Sequence, residues 1–128
     1  MDSEAGDLVI RVTAMPTDLN PYGGVFGGWL MSQLALGAAS LVTRRTGHKA
    51  VVVGATDFTF PGVMVVGDEL NVFAQIVRVG RTSLTVATCG FGRARASETQ
   101  VEVAAGTFTF VTLDENDRPR RAVAEISS

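Results

Sequence analysis

Apolar and polar positions along the 128-residue chain alternate in a way that marks one helical run and five strand-like runs separated by short polar turns. Val9-Ile10-Arg11-Val12-Thr13-Ala14 is β-branched and stops at Met15-Pro16, which predicts a first strand. From about Gly27 to Thr46, Trp29, Leu30, Leu34, Leu36 and Leu41 share a run with the small patch Gly37-Ala38-Ala39-Ser40, predicting a helix that approaches a curved sheet closely. Thr43-Arg44-Arg45-Thr46-Gly47 adds basic last-turn residues and a glycine stop. Ala50 to Phe60 is apolar almost without interruption in its first half, predicting a strand buried on both faces and ended by Pro61-Gly62. Glu69–Val79 and Thr82–Phe91 flank Gly80-Arg81 as a hairpin, and Gln100–Thr112 alternates before Phe108 and Phe110. One antiparallel sheet wrapped around a single long helix accounts for this order, an α+β architecture in one domain spanning 1–128. Residues 1–7 and 114–128 read as loose polar tails.

Composition narrows the class. Hydrophobic residues make up 46% and charged residues 19%, which is apolar for a short chain and points to surface buried between copies. A formal net charge of −2 and the lack of a basic, aromatic-interleaved patch argue against nucleic acid. The single cysteine, Cys89, excludes an internal disulfide, and the acidic Met1-Asp2-Ser3-Glu4 start lacks a signal-peptide core, so a cytoplasmic location is expected. The helix carries Ser32, Gln33 and Ser40 and is short for a membrane span.

The chemistry-bearing stretch is Asn20-Pro21-Tyr22-Gly23-Gly24-Val25-Phe26-Gly27-Gly28-Trp29-Leu30, where a loop of turn residues becomes the helix. The first amides of a helix have no intrahelical partner, so those at Gly27 and Gly28 suit an oxygen gaining negative charge. The same glycines also serve a helix that only needs to pack against a sheet. Asp18 and Asn20 are turn-formers by type or polar groups beside the helix entry. Asp57 interrupts an apolar strand, and a carboxylate there is either paired or functional. His48, the only histidine, follows the helix in a loop beside Lys49 and reads as solvated.

With Ala14-Met15-Pro16, Asp18, Asn20-Pro21, Val25-Phe26-Gly27-Gly28-Trp29-Leu30-Met31-Ser32-Gln33, Thr59-Phe60, Val66-Gly67-Asp68, Val79-Gly80-Arg81-Thr82-Ser83 and Phe108-Thr109-Phe110-Val111 in this order, the chain resembles the hot-dog-fold acyl-CoA thioesterases. The similarity runs from about Arg11 to Pro119 and is to the broad-specificity bacterial branch related to cytosolic acyl-CoA hydrolases. It implies a dimer with sheets side by side, assembled further into a tetramer or hexamer. Active sites would lie at the dimer interface, with loop and helix start from one subunit and sheet residues from the other. It also implies hydrolysis of acyl-CoA to free acid and CoA, with Gly27 and Gly28 as oxyanion donors. Gly24, Val25, Phe26, Arg78, Gly80, Arg81, Thr82 and Ser83 would meet the substrate, with Arg78, Arg81 or Arg93 near its phosphates. Trp29 and Phe26 are either walls for the acyl chain or plain core. No metal or redox cofactor is expected, coenzyme A being part of the substrate.

The chain departs from this family at two positions. The helix carboxylate that acts as nucleophile or general base is replaced by Ala35, and Gly24 stands where the family usually has Asp or Asn. Three accounts stay open: an introduced Asp-to-Ala change, a carboxylate relocated to Asp57 or Asp18, or an acyl-CoA-binding protein with weak or no catalysis. A dehydratase or hydratase of this fold would need a helix carboxylate or an adjacent histidine, and His48 lies beyond the helix.

Overall fold

The computed structural model describes residues 6–123. Strand β1 (Asp7–Thr13) leads through a 3-10 turn at Pro16–Asp18 to helix α1 (Gly27–Thr46), followed by β2 (Lys49–Thr59), β3 (Glu69–Val79), β4 (Ser83–Arg93) and β5 (Gln100–Leu113). The strands pair antiparallel in the order β1-β3-β4-β5-β2. The expected single sheet around one long helix is what forms, and the limits predicted for α1 and β3 are the observed ones.

Leu30, Leu34, Ala38 and Leu41 recur at helical spacing and are buried in one cluster with Val72, Ile76, Val86, Phe108 and Phe110 of the sheet. Each such Leu, Val or Phe stabilises the fold by about 1.5–3 kcal/mol through burial. Leu36 falls off that stripe and is 58% exposed. Close packing is fixed at Gly37, where a Cβ would meet Val9 Cγ2 at 2.5 Å and Ile10 Cγ1 at 3.2 Å. At the helix end Gly47 takes φ 73°, and its N–H donates to the Thr43 carbonyl at 2.8 Å. Arg45 Nη2 reaches Asp7 Oδ2 at 2.7 Å and Arg44 reaches it at 3.4 Å, so Asp7 opens β1 and is no part of a loose tail.

Two expectations are corrected. The apolar start of β2 is not buried on both faces: β2 is an edge strand, and Val51, Val52 and Val53 are 45%, 46% and 60% exposed in the single chain. An uninterrupted apolar run marks any strand covered on both sides, whether by its own chain or by another. The C-terminal stretch is also not loose where it is described. Asp114 Oδ1 accepts N–H bonds from Asn116 and Arg118, Arg120 N–H donates to Thr112 O, and Ala122 N–H donates to Arg81 O at 2.9 Å. Ala122 is thereby buried beside the β3–β4 turn. Residues 1–5 and 124–128 of the expected tails lie outside the described residues.

A polar network joins the β1, β3 and β4 strands. Buried Asn71 accepts from Arg11 Nε at 2.7 Å and donates to Glu69 Oε1 at 3.3 Å, while Arg93 Nε donates to Glu69 at 3.4 Å. Burial alone would raise the Glu69 pKa, but the hydrogen bonds from Asn71 and Arg93 and the charges of Arg93 and Arg11 outweigh it and hold the carboxyl below 4.5. Its contribution is complete above the ordinary carboxylate value and lost as pH falls through the depressed folded value. Acid titration of folding stability should therefore be less steep below pH 4.5 in Glu69→Gln than in the parent; equal acid sensitivity of the two would remove Glu69 from this account. At the other side of the sheet Gly106 lies under Phe58, with a Cβ there 2.3 Å from Phe58 Cε1, and Phe58 stacks edge-on against Phe108 at 5.3 Å. Gly106→Ala is expected to lower stability by about 1–3 kcal/mol in urea unfolding; an unchanged midpoint would mean the ring moves aside freely.

Candidate active site

The loop before α1 is closed by its own polar residues. Asn20 Oδ1 accepts from the N–H of Tyr22 at 2.8 Å and of Gly24 at 3.2 Å, and Asn20 N–H donates to Gly24 O at 2.7 Å. Asp18 Oδ2 accepts from Met15 N–H at 2.8 Å, and the Asp18 carbonyl accepts from Phe26 N–H at 2.8 Å. Val25 is buried and donates its N–H to Met64 O at 3.0 Å, which pins the loop to the segment before β3. Asp18 and Asn20 thus do what turn-formers do, and both side chains are committed to backbone.

This clamp presents the helix start. Trp29 and Leu30 bond back to the Phe26 carbonyl, and no side chain caps the end, so the amides of Gly27 and Gly28 have no intramolecular partner among the described residues. Packing on the sheet does not explain these two glycines, because a Cβ on Gly27 would meet only Phe60 Cε1, at 3.9 Å. At Gly28 a Cβ would strike the Phe26 ring at 2.5 Å. Phe26 and Phe60 are 54% and 45% exposed and border Gly28 and Gly27, so two aromatic rings flank the helix start. Trp29 is half-buried and packs on the core. Phe60 and the groove described next were not predicted; Leu36, an apolar residue off the helix stripe, was the available signal.

Ala35 lines an apolar groove of about 480 Å³ with Ser32, Leu36, Ala39 and Val52, between α1 and the open edge of β2. Ser32 is its polar member, and its hydroxyl donates to Gly28 O at 3.0 Å. Gly24 has room for a side chain, since a Cβ there would lie 3.5 Å from Asn20 Nδ2. Asp57 is not in a buried strand. It is exposed on the β2 edge, at a bulge between Thr56 and Thr59, with φ 60° and the Thr56 hydroxyl at 3.4 Å as its hydrogen-bond partner. Such a left-handed non-glycine residue is uncommon outside Asn and Asp. Phe60, which borders Gly27, lies three residues further, about 10 Å along a strand.

The remaining candidates lie elsewhere. Gly80-Arg81-Thr82 forms the β3–β4 turn, with Gly80 N–H on Ser83 O at 2.7 Å and Thr112 N–H on Thr82 O at 3.2 Å. Ser83 pairs with Val111, which in turn pairs with Val51 near the helix C-terminus. Within one chain the turn is therefore about 30 Å, the length of a 20-residue helix, from Gly27. Arg78 is exposed near the same end, whereas Arg93 is engaged by Glu69 and by the carbonyls of Ala94, Arg95 and Ser97. His48 is half-buried in a separate cavity of about 370 Å³ with Lys49, Leu113 and Arg120, away from the helix start.

A helix cradled by an antiparallel sheet, with two free amides at its start, defines the hot-dog thioesterase class. The chain belongs to the thioesterase superfamily, whose model matches residues 22–91. It is 42% identical over 115 residues to an uncharacterized acyl-CoA thioester hydrolase of Zymomonas mobilis, covering 90% of this chain and 77% of that protein. It is 35% identical over 123 residues to the acyl-CoA thioester hydrolase YciA of Escherichia coli, covering 94% and 93%. Among solved structures, a hexameric broad-specificity acyl-coenzyme A thioesterase in an aspartate-to-alanine mutant form matches with a TM-score of 0.88 at 35% identity, covering 96% and 91%.

Cys89 is not an alternative nucleophile. Burial, aided by the Glu102 charge, pushes its thiol from 9.0 up to about 11, so it is protonated at neutral pH. Iodoacetamide at pH 8 should label Cys89 in the folded chain far more slowly than in urea; equal rates would show an open, ionisable thiol.

Proposed function

We propose that this protein hydrolyses acyl-CoA thioesters to a carboxylic acid and CoA. The observation that carries the proposal is the pair of unpartnered amides at Gly27 and Gly28 beside two aromatic rings, in a chain related to acyl-CoA thioester hydrolases. Water attacks the thioester carbonyl, and the amides hold the oxyanion of the tetrahedral intermediate. The C–S bond then breaks, and CoA leaves as its thiolate without needing a protein acid. No metal or redox group enters this scheme, and CoA is part of the substrate. A cytoplasmic location is part of the proposal, in keeping with the single cysteine. Among the described residues no helix is long and apolar enough to cross a membrane.

Ala35 cannot take the proton from water, so a carboxylate must come from elsewhere. Asp57 is favoured over Asp18, because Asp18 is spent on Met15 N–H while Asp57 is exposed with one long contact to Thr56. A homo-oligomer built from dimers gives Asp57 its setting. The open β2 edge with Val51–Val53 exposed, across the groove from Leu36, is apolar surface that a second copy would cover. Pairing there sets Asp57 at an interface, facing the helix start of the other subunit. Hexameric relatives favour six copies over four. The groove holding Ala35 and Leu36 would take the acyl chain.

A non-catalytic acyl-CoA binder is the second reading, favoured by Ala35 and Gly24 together. Thiol release over short, medium, long and aromatic acyl-CoAs separates the two. Turnover above buffer is expected, falling about 100-fold or more in Asp57→Asn, the usual range for a lost general base, while Ala35→Asp should accelerate it. Unchanged turnover in both Asp57→Asn and Asp18→Asn would falsify the relocated base. Release by Ala35→Asp alone would leave the parent chain a binder.

A further inference from the structure

One four-residue turn holds both ends of the loop that leads to the helix start. In Val65-Val66-Gly67-Asp68 the Asp68 N–H donates to Val65 O at 3.1 Å, and Gly67 takes φ 91° at the third position, as a type II turn requires. Gly67 N–H donates to Ala14 O at 2.8 Å and Asp68 O accepts from Ala14 N–H at 2.9 Å, so the chain entering the loop is tied twice at one buried residue. The chain leaving the loop is tied by Val25 N–H to Met64 O at 3.0 Å. Val25 stands two residues before Gly27, and Phe26 N–H is spent on Asp18 O, so these bonds set where the free amides point.

The Asp68 side chain closes the same turn from the other direction. Its Oδ2 accepts the N–H of Val65 at 3.1 Å, and that N–H belongs to the same peptide unit as the Met64 carbonyl that receives Val25. A peptide unit is planar, so fixing its N–H fixes its C=O. An anionic acceptor on the N–H also polarises the unit and strengthens the carbonyl as an acceptor. Packing holds only one end of this unit: Met64 is buried against Gly92, where a Cβ would meet Met64 Cγ at 2.8 Å, but Val65 and Val66 are 50% and 47% exposed. Among the described residues Asp68 is in no ion pair, so its charge is not spent elsewhere. We propose that Asp68 is a positioning residue for the oxyanion site, acting through the Met64–Val65 peptide on Val25 and so on the amides of Gly27 and Gly28. The inference rests on the reading of those amides above and concerns a side chain that touches neither substrate nor reacting atoms.

Two readouts on the full chain test this: amide hydrogen exchange at Val25, and steady-state thiol release from the acyl-CoA panel. Asp68→Ala removes the acceptor, and Val25 exchange should quicken about tenfold or more, the scale of a lost hydrogen bond to a charged group. In the same variant kcat should fall by a similar factor with KM nearly unchanged, because the amides hold the oxyanion formed in the transition state. Asp68→Asn keeps an oxygen in place without the charge, so both readouts should fall between parent and Asp68→Ala. Parental Val25 exchange in Asp68→Ala, or in Asp68→Asn if the alanine variant does not fold, would overturn the proposal, as would a raised KM at parental kcat. Faster exchange spread equally to core amides such as Leu34 and Val86 would mean a looser fold and would overturn it too. If the parent chain releases no thiol, the hydrolase reading falls, and exchange at Val25 alone upholds or removes the tether.

Discussion

The structure depends on how closely α1 can lie on the sheet. That distance is set at Gly37, where any side chain would collide with Val9 and Ile10, and by the Ala38 that follows. Close approach lets Leu30, Leu34 and Leu41 reach the sheet interior. The helix is then held along its length, and its first turn is placed relative to β2 and to the segment before β3. The loop clamp at Asn20 and Asp18 only finishes what that packing begins.

Preorganisation at the helix start follows from a division of labour. Polar side chains of the loop satisfy the loop's own amides, and they stop before the helix, so Phe26 caps nothing. Two donors are left over in an apolar surround, where hydrogen bonds to a developing charge are worth more than in water. An uncommitted donor pair of this kind would be a defect in a core. At a helix start it is a place where negative charge is favoured.

Most of the fold was legible in the sequence because its signals are local. The apolar run from Gly27, the glycine stop at Gly47 and the Gly80-Arg81 turn each fix backbone geometry within a few residues. The site was legible only in its glycines. Asp57 was misjudged because an apolar run does not say what covers it, and β2 is an edge. The tail was misjudged because its anchors, Arg81 O and Thr112 O, are backbone atoms that carry no residue signature. Which arginines are paired is likewise a property of sheet order: Glu69 collects Arg11 and Arg93 because β1, β3 and β4 are neighbours.

The left-handed residue at the β2 bulge has a consequence for how such a chain can change over generations. With φ at 60°, the position accepts glycine without strain and Asp or Asn with little, and it refuses most else. A single codon step between glycine and aspartate there adds or removes a carboxylate on the open edge while leaving the backbone path as it was. The bulge is thus a socket in which an acid can be gained or lost while the fold around it stays as it was.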